Sequence, residues 1–229
     1  MRLPRCAPTS RPSAISRSDV AFLRRCSSVP LVLVLLCAVA VALPAGASVA
    51  ATSGPFRYTF PVHGCATSYG RTHHDYPATD IFAARGCRFV APISGRVDEV
   101  SRVDRWSAST DLGGQRGGRY VSIVGRDGVR YYGSHLERVA RGIAPGVRVS
   151  RGQVLGYVGS SGDASAVHLH FGISWTTRHG IWWVRRGEVW PWRFLDAWRA
   201  GYRHRSPVAA VQRALTRAGR RVPRCSVDC

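Results

Sequence analysis

Residues 119–136 read RYVSIVGRDGVRYYGSHL. Two β-prone runs flank Asp127-Gly128, a dipeptide suited to the left-handed backbone of a tight two-residue turn. The stretch therefore predicts an antiparallel hairpin. The pattern extends in both directions. CRFVAPISGRVDEV (87–100) alternates around a Pro-Ile-Ser-Gly turn. GVRVSRGQVLGYVG (146–159) reads as another pair of short strands with Gly152 between them, and VHLHFGISW (167–175) alternates with period two. No long 3.6-period segment interrupts the run from Phe56 to about Trp175. Short strands broken by glycine turns predict an all-β domain, a compact antiparallel sheet or sandwich.

The flanks read differently. The polar, glycine-rich stretch 105–119, RWSASTDLGGQRGGR, is a loop long enough to border a site. Residues 176–200 hold five Trp and end in a short helix. PVAAVQRALTRAG (207–219) predicts a helix started by Pro207 and stopped by Gly219. The expected organisation is a leader over 1–50, a β-rich domain over 56–200 and an Arg-rich C-terminal extension over 201–229. Within the leader, a stretch with six Arg precedes the apolar run Leu31–Leu43 and the small residues that follow Pro44. This is the pattern of a secretory signal peptide cleaved after Ala47 or Ala50, or of an N-terminal membrane anchor if uncleaved. Export implies an oxidising compartment. The four cysteines beyond the leader are then expected to pair as Cys65–Cys87 and Cys225–Cys229, each pair within one local segment.

The chain has 229 residues, 45% of them hydrophobic, and a net charge of +20, enough apolar content for a packed core. All 33 basic residues are Arg. Without lysine, P-loop, Schiff-base and lysine general-base chemistries are excluded. Residues 51–229 alone carry 27 Arg against 12 acidic residues, a net charge of +15. Such a charge implies polyanionic surroundings: nucleic acid, anionic lipid or anionic cell-wall polymer.

The chemistry rests on histidines. In a strand, residues i and i+2 share a face, so His168 and His170 project side by side while Leu169 turns into the core. That geometry suits two metal ligands, or one ligand beside one acid/base group. In THHDYPATDIF (72–82), Asp80 stands at a strand entrance with His74 six residues earlier. If the segment is extended, positions 74, 76, 78 and 80 share a face, which favours His74 as the partner of Asp80 with His73 in reserve. His135 closes a strand in YYGSHL.

Together, HHDYPATDIF, VAPISGRV, YYGSHL, GVRVSRGQVLGYVGSSG and HLHFGIS resemble the lysostaphin-like, LytM-type zinc metallopeptidases from about Phe60 to Trp175. The resemblance implies a compact antiparallel β domain of the duplicated-hybrid-motif type with a groove. It implies that His74, Asp80 and His170 bind Zn²⁺ and that His135 and His168 flank the water and the substrate. It further implies hydrolysis of peptide bonds in bacterial peptidoglycan by an exported, wall-associated protein, with anionic wall polymers as further partners of its Arg-rich tail. One departure stands out. Five residues separate His74 from Asp80 where the family usually has three, and Tyr76 occupies the usual histidine position.

The alternatives are a catalytically inactive LytM-like wall-binding protein or hydrolase activator, a two-histidine, one-carboxylate iron protein, and a secreted nucleic-acid binder. No glutamate follows HxH closely, as a cupin would require, and no nucleic-acid-binding motif is present. Nor does GYVGSSG form a serine-nucleophile elbow, because Asp163 stands at the last glycine's place.

Overall fold

The computed structural model describes residues 56–221, so the leader and the Cys225–Cys229 pairing lie outside the described residues. In chain order the strands are β1 (Val62–His63), β2 (Thr67–Ser68), β3 (Thr79–Ala83), β4 (Arg88–Val90), β5 (Gly95–Ser101), β6 (Tyr120–Gly125), β7 (Arg130–Ser134), β8 (Leu136–Val139), β9 (Arg148–Val149), β10 (Val154–Val158) and β11 (His168–Ser174). They form a four-stranded sheet in the order β1-β4-β10-β8 and a seven-stranded sheet in the order β2-β3-β11-β7-β6-β5-β9. Every strand pairing is antiparallel. The all-β, antiparallel expectation is met.

The hairpin over 119–136 forms, but its loop is the three residues 126–128, closed by the Gly125 amide donating to Val129 O, and not a two-residue turn. β6 pairs with β7 through Val124↔Arg130, and Gly128 takes the positive φ of +75° that the turn requires. Asp127 does more than turn the chain. Its carboxylate accepts the amide of Val129 at 3.1 Å and the hydroxyls of Tyr58 at 2.9 Å and Tyr131 at 2.6 Å, which ties the hairpin tip to the core. The 146–159 stretch departs from expectation. Its two strands do not pair with each other: β9 joins β5 in the large sheet, and β10 joins β4 and β8 in the small one. Val149 and Leu155 are both buried, so the turn at Gly152 carries the chain from one sheet to the other.

Period two does the remaining work. Along β11, Leu169, Phe171 and Ile173 are fully buried within one hydrophobic cluster that also holds Phe89, Leu155, Val158, Ile81 and Tyr131. Each such side chain contributes about 1.5–3 kcal/mol by leaving water. The alternate residues of β11 face the other way, toward the site.

Three helices follow the sheets: α1 (Trp182–Arg185), α2 (Trp192–Arg199) and α3 (Val208–Arg221). Trp198 of α2 stacks on Tyr58 with ring centroids 5.1 Å apart, and α3 buries Val211 and Ala214 in the same core. Gly219 does not stop α3: it lies inside the helix and its φ is not positive, so it makes no left-handed cap. Among the described residues, no helix is long and apolar enough to cross a membrane.

Cys65 and Cys87 form a disulfide spanning 22 positions, which joins the β1–β2 connection to the start of β4. Removing it by paired Cys65→Ser and Cys87→Ser exchange should lower unfolding stability by about 3 kcal/mol, measured by urea denaturation. Unchanged stability would mean that the bridge constrains nothing.

Candidate active site

The large sheet assembles the site by register. β11 lies between β3 and β7, and His170 stands directly opposite Asp80 on one side and Ser134 on the other. Cross-strand neighbours have Cβ atoms about 4.5–5.5 Å apart, so these side chains must meet. His168 emerges two residues earlier on the same face. His135 arrives from the link between β7 and β8, where its φ is +61°, a left-handed conformation that costs a non-glycine residue about 1–2 kcal/mol. His73 reaches the group from the bent segment before β3.

All of these groups converge on one oxygen. Asp80 Oδ1 lies 3.0 Å from His170 Nδ1, 3.5 Å from His73 Nε2 and 3.6 Å from His168 Nε2. The His135 ring is 4.6 Å from that of His168, centroid to centroid, and 6.0 Å from that of His170. The parity expectation for residues 72–78 is corrected, because the strand begins only at Thr79 and the residues before it bend. His73 is the buried neighbour of the carboxylate, whereas His74 is exposed. His74 still brings a ring nitrogen within 4.8 Å of the ligand atoms of His73 and Asp80.

Main-chain carbonyls fix the tautomers. A carbonyl oxygen only accepts, so His135 donates its Nδ1–H to Ser161 O at 2.7 Å, and His168 donates its Nδ1–H to Ala166 O at 2.9 Å. His170 is reversed and donates Nε2–H to Arg186 O at 2.9 Å. Each neutral ring therefore turns an unprotonated nitrogen away from its carbonyl. For His170 and His168 that nitrogen faces Asp80. The 3.0 Å contact between His170 Nδ1 and the Asp80 carboxylate is attractive when a proton on Nδ1 or a bound metal ion lies between the two atoms. Two atoms bound tetrahedrally at the usual zinc–nitrogen and zinc–oxygen lengths lie about 3.4 Å apart, so the spacings around Asp80 fit a shared divalent ion. His73 Nδ1 is buried with no hydrogen-bond partner, which leaves its ring free to turn toward such an ion.

Several contributors have no signal in the sequence pattern. Arg186 supplies its carbonyl because Val189 bridges to Ile173 beyond the end of β3 and brings the preceding turn over β11. Gly172 admits it, since a Cβ there would sit 2.3 Å from Arg186 O. Tyr132 and Ser134 lie on the site face of β7 and could have been found from their parity. The glycine-rich loop does border the site, as its composition predicts. Trp182 lies so close against it that a Cβ on Gly113 would meet the indole at 2.5 Å. These residues, with Tyr76, Arg116, Arg185 and Arg186, enclose a cleft of about 330 Å³ over the histidines. The five tryptophans are divided: Trp198 is core, Trp182 lines the cleft, Trp192 is half-buried with Arg71 and Arg193 over its ring, and Trp183 and Trp190 are exposed.

Burial sets the charge states. It disfavours the imidazolium of His73 and, reinforced by the positive field of His170, lowers its pKa to about 4. Burial with the fields of His170 and His168 lowers His135 to about 3. Burial alone would raise Asp80, but the His170 contact and the surrounding histidines outweigh it and hold the carboxyl at about 2.

The sign for stability follows. The folded state resists protonation of His73 and His135, so their contribution is complete above the unfolded value of 6.5 and is lost as pH falls toward 4 and 3. Asp80 keeps its contribution down to about its ordinary 3.8. The thermal midpoint of the chelator-treated protein should therefore fall between pH 6.5 and 4, and His135→Gln should flatten that slope. A midpoint that holds or rises over this range would contradict the assignment.

The chain is similar to known proteins. The profile of Peptidase family M23 matches residues 74–180. Among solved structures, the chain is similar to the catalytic domain of the antimicrobial peptidase lysostaphin from Staphylococcus simulans, at 24% identity and a TM-score of 0.43, covering 58% of this chain and 92% of that one. It is similar to the whole of that peptidase at 22% identity and a TM-score of 0.46, covering 62% of this chain but only 55% of that one. It is also similar to a zinc-containing peptidase from Vibrio cholerae, at 18% identity and a TM-score of 0.37, covering 52% of this chain and 36% of that one. No curated protein matches. The family profile spans the cluster from His74 to His170, and over these residues the chain is similar to peptidase family M23.

Proposed function

We propose that this protein is an exported, zinc-dependent endopeptidase that hydrolyses peptide bonds in bacterial peptidoglycan. The single observation that carries the reading is the convergence of His170 Nδ1, His73 Nε2 and His168 Nε2 within 3.6 Å of one oxygen, Asp80 Oδ1. The similarity of residues 74–180 to a peptidase family and the open cleft above this site support it. The leader pattern supports export, and the basic surface suits a wall rich in anionic polymer.

His73, Asp80 and His170 would hold the ion, with exposed His74 at the rim. When bound, zinc polarises a scissile carbonyl and makes a water acidic near neutral pH. The chain's own residues supply the proton handling. His135 is kept neutral by burial and presents Nε2 as the acceptor of a proton from the attacking water. His168, fixed through Nδ1, presents Nε2 beside it, where a leaving amine can take up a proton or a developing oxyanion can be stabilised once that ring is protonated. The cleft walls exclude bulk water and orient the peptide.

The test is elemental analysis of the variants combined with mass spectrometry of peptidoglycan digests. Parent protein should hold about one zinc per chain, the number that a single three-ligand site accommodates. His73→Ala and His170→Ala should lose it. His135→Ala should keep the metal and lose turnover by about 10²–10⁴-fold. If His74→Ala alone strips the metal, the ligand is His74. If His135→Ala digests wall as well as the parent, the catalytic assignment fails.

A further inference from the structure

The cleft holds three arginines, and they are not equivalent. Arg116 binds Asp111 and lies 3.8 Å from Asp163. Arg185 is buried and ion-paired with Glu99 beneath the rings of Tyr120 and Tyr132. Arg186 has no carboxylate within ion-pair distance among the described residues, although Glu188 lies within reach of its field. Its guanidinium carbon lies over the Tyr76 ring, 3.7 Å from the centroid, and 5.2 Å from the centroid of the Trp182 ring. Its Nε is buried and has no hydrogen-bond acceptor. A guanidinium stacked in this way is held rigid and keeps its edge N–H groups free for a planar, two-point acceptor. The same residue's carbonyl grips His170, so that acceptor would sit next to the reacting centre.

We propose that Arg186 forms a carboxylate-binding subsite of this cleft and selects peptides that carry a free carboxylate beside the scissile bond. The substrate class is therefore an anionic stem peptide and not a neutral glycine bridge. The inference builds on the hydrolytic reading for the position of the bond, but the subsite can be assayed by binding alone. The other charges of the cleft agree with it. Asp80 is engaged by the histidines, Asp163 is offset by Arg116, and Asp75 is exposed at the margin. Arg186, half-buried in the cleft wall, is left as a cation without a carboxylate partner among the described residues.

The test uses the full-length, zinc-loaded protein and calorimetric titration with two probes: the stem tetrapeptide L-alanyl-γ-D-glutamyl-meso-diaminopimelyl-D-alanine, and its counterpart with every carboxyl converted to carboxamide. The parent should bind the free acid at least about tenfold more tightly, the scale of a charge-assisted hydrogen bond. Arg186→Gln should bring the two affinities within about twofold of each other, while Arg116→Gln should leave the ratio intact. If Arg186→Gln does not fold, Arg186→Met, which keeps apolar packing against the Tyr76 ring, reads the same ratio. No difference between the probes, whether both bind or neither does, overturns the subsite, and so does a preference that survives Arg186→Gln. Preferential binding without cleavage of any wall peptide would leave the subsite standing and overturn the hydrolytic reading instead. Cleavage without a carboxylate preference would do the reverse.

Discussion

The convergence of histidine nitrogens on one carboxylate oxygen across neighbouring strands is the constraint on which the rest of this site depends. It arises from register: β11 and β3 pair so that His170 and Asp80 stand opposite each other, while Leu169 and Ile81 stand opposite each other on the buried face. The apolar face fixes that register, because a one-residue slip would turn Leu169 and Phe171 to solvent and the histidines into the core. Hydrophobic burial on one side of the sheet thus determines the polar geometry on the other.

Main-chain carbonyls complete the arrangement. Ser161, Ala166 and Arg186 each accept a proton from one imidazole and so decide which nitrogen of His135, His168 and His170 is left bare. Ser161 is itself held. Its hydroxyl donates to Leu136 O at 2.8 Å and accepts the Arg119 amide at 2.9 Å, which couples the glycine-rich loops to the residue that follows His135. Below the cleft, Arg130 pairs with Asp98 at 2.9 Å and donates to Thr177, and this anchors the segment that leads to α1. The cleft wall is therefore tied to the same sheet that carries the histidines.

Much of this is legible in the sequence, for identifiable reasons. Period two places His168 and His170 together and sends Leu169 inward. Asp127-Gly128 marks the central hairpin. What escapes is whatever depends on irregular backbone. The choice between His73 and His74 was argued from strand parity, and residues 72–78 are not a strand. The two short strands on either side of Gly152 read as a pair because local pattern does not reveal which sheet each one joins. Arg186 carries no motif at all: it reaches His170 through a turn positioned by one bridge and one missing Cβ. The end of α3 was misplaced because Gly219 has the composition of a cap without the conformation of one.

The central claim is that side chains from three separate stretches of chain grip one divalent cation. A crystal of the zinc-loaded protein, measured at wavelengths on either side of the zinc absorption edge, tests it most directly. The account predicts a single strong anomalous peak about 2.0–2.2 Å from His73 Nε2, Asp80 Oδ1 and His170 Nδ1. A peak bound elsewhere, or none in the cleft under saturating zinc, would contradict it.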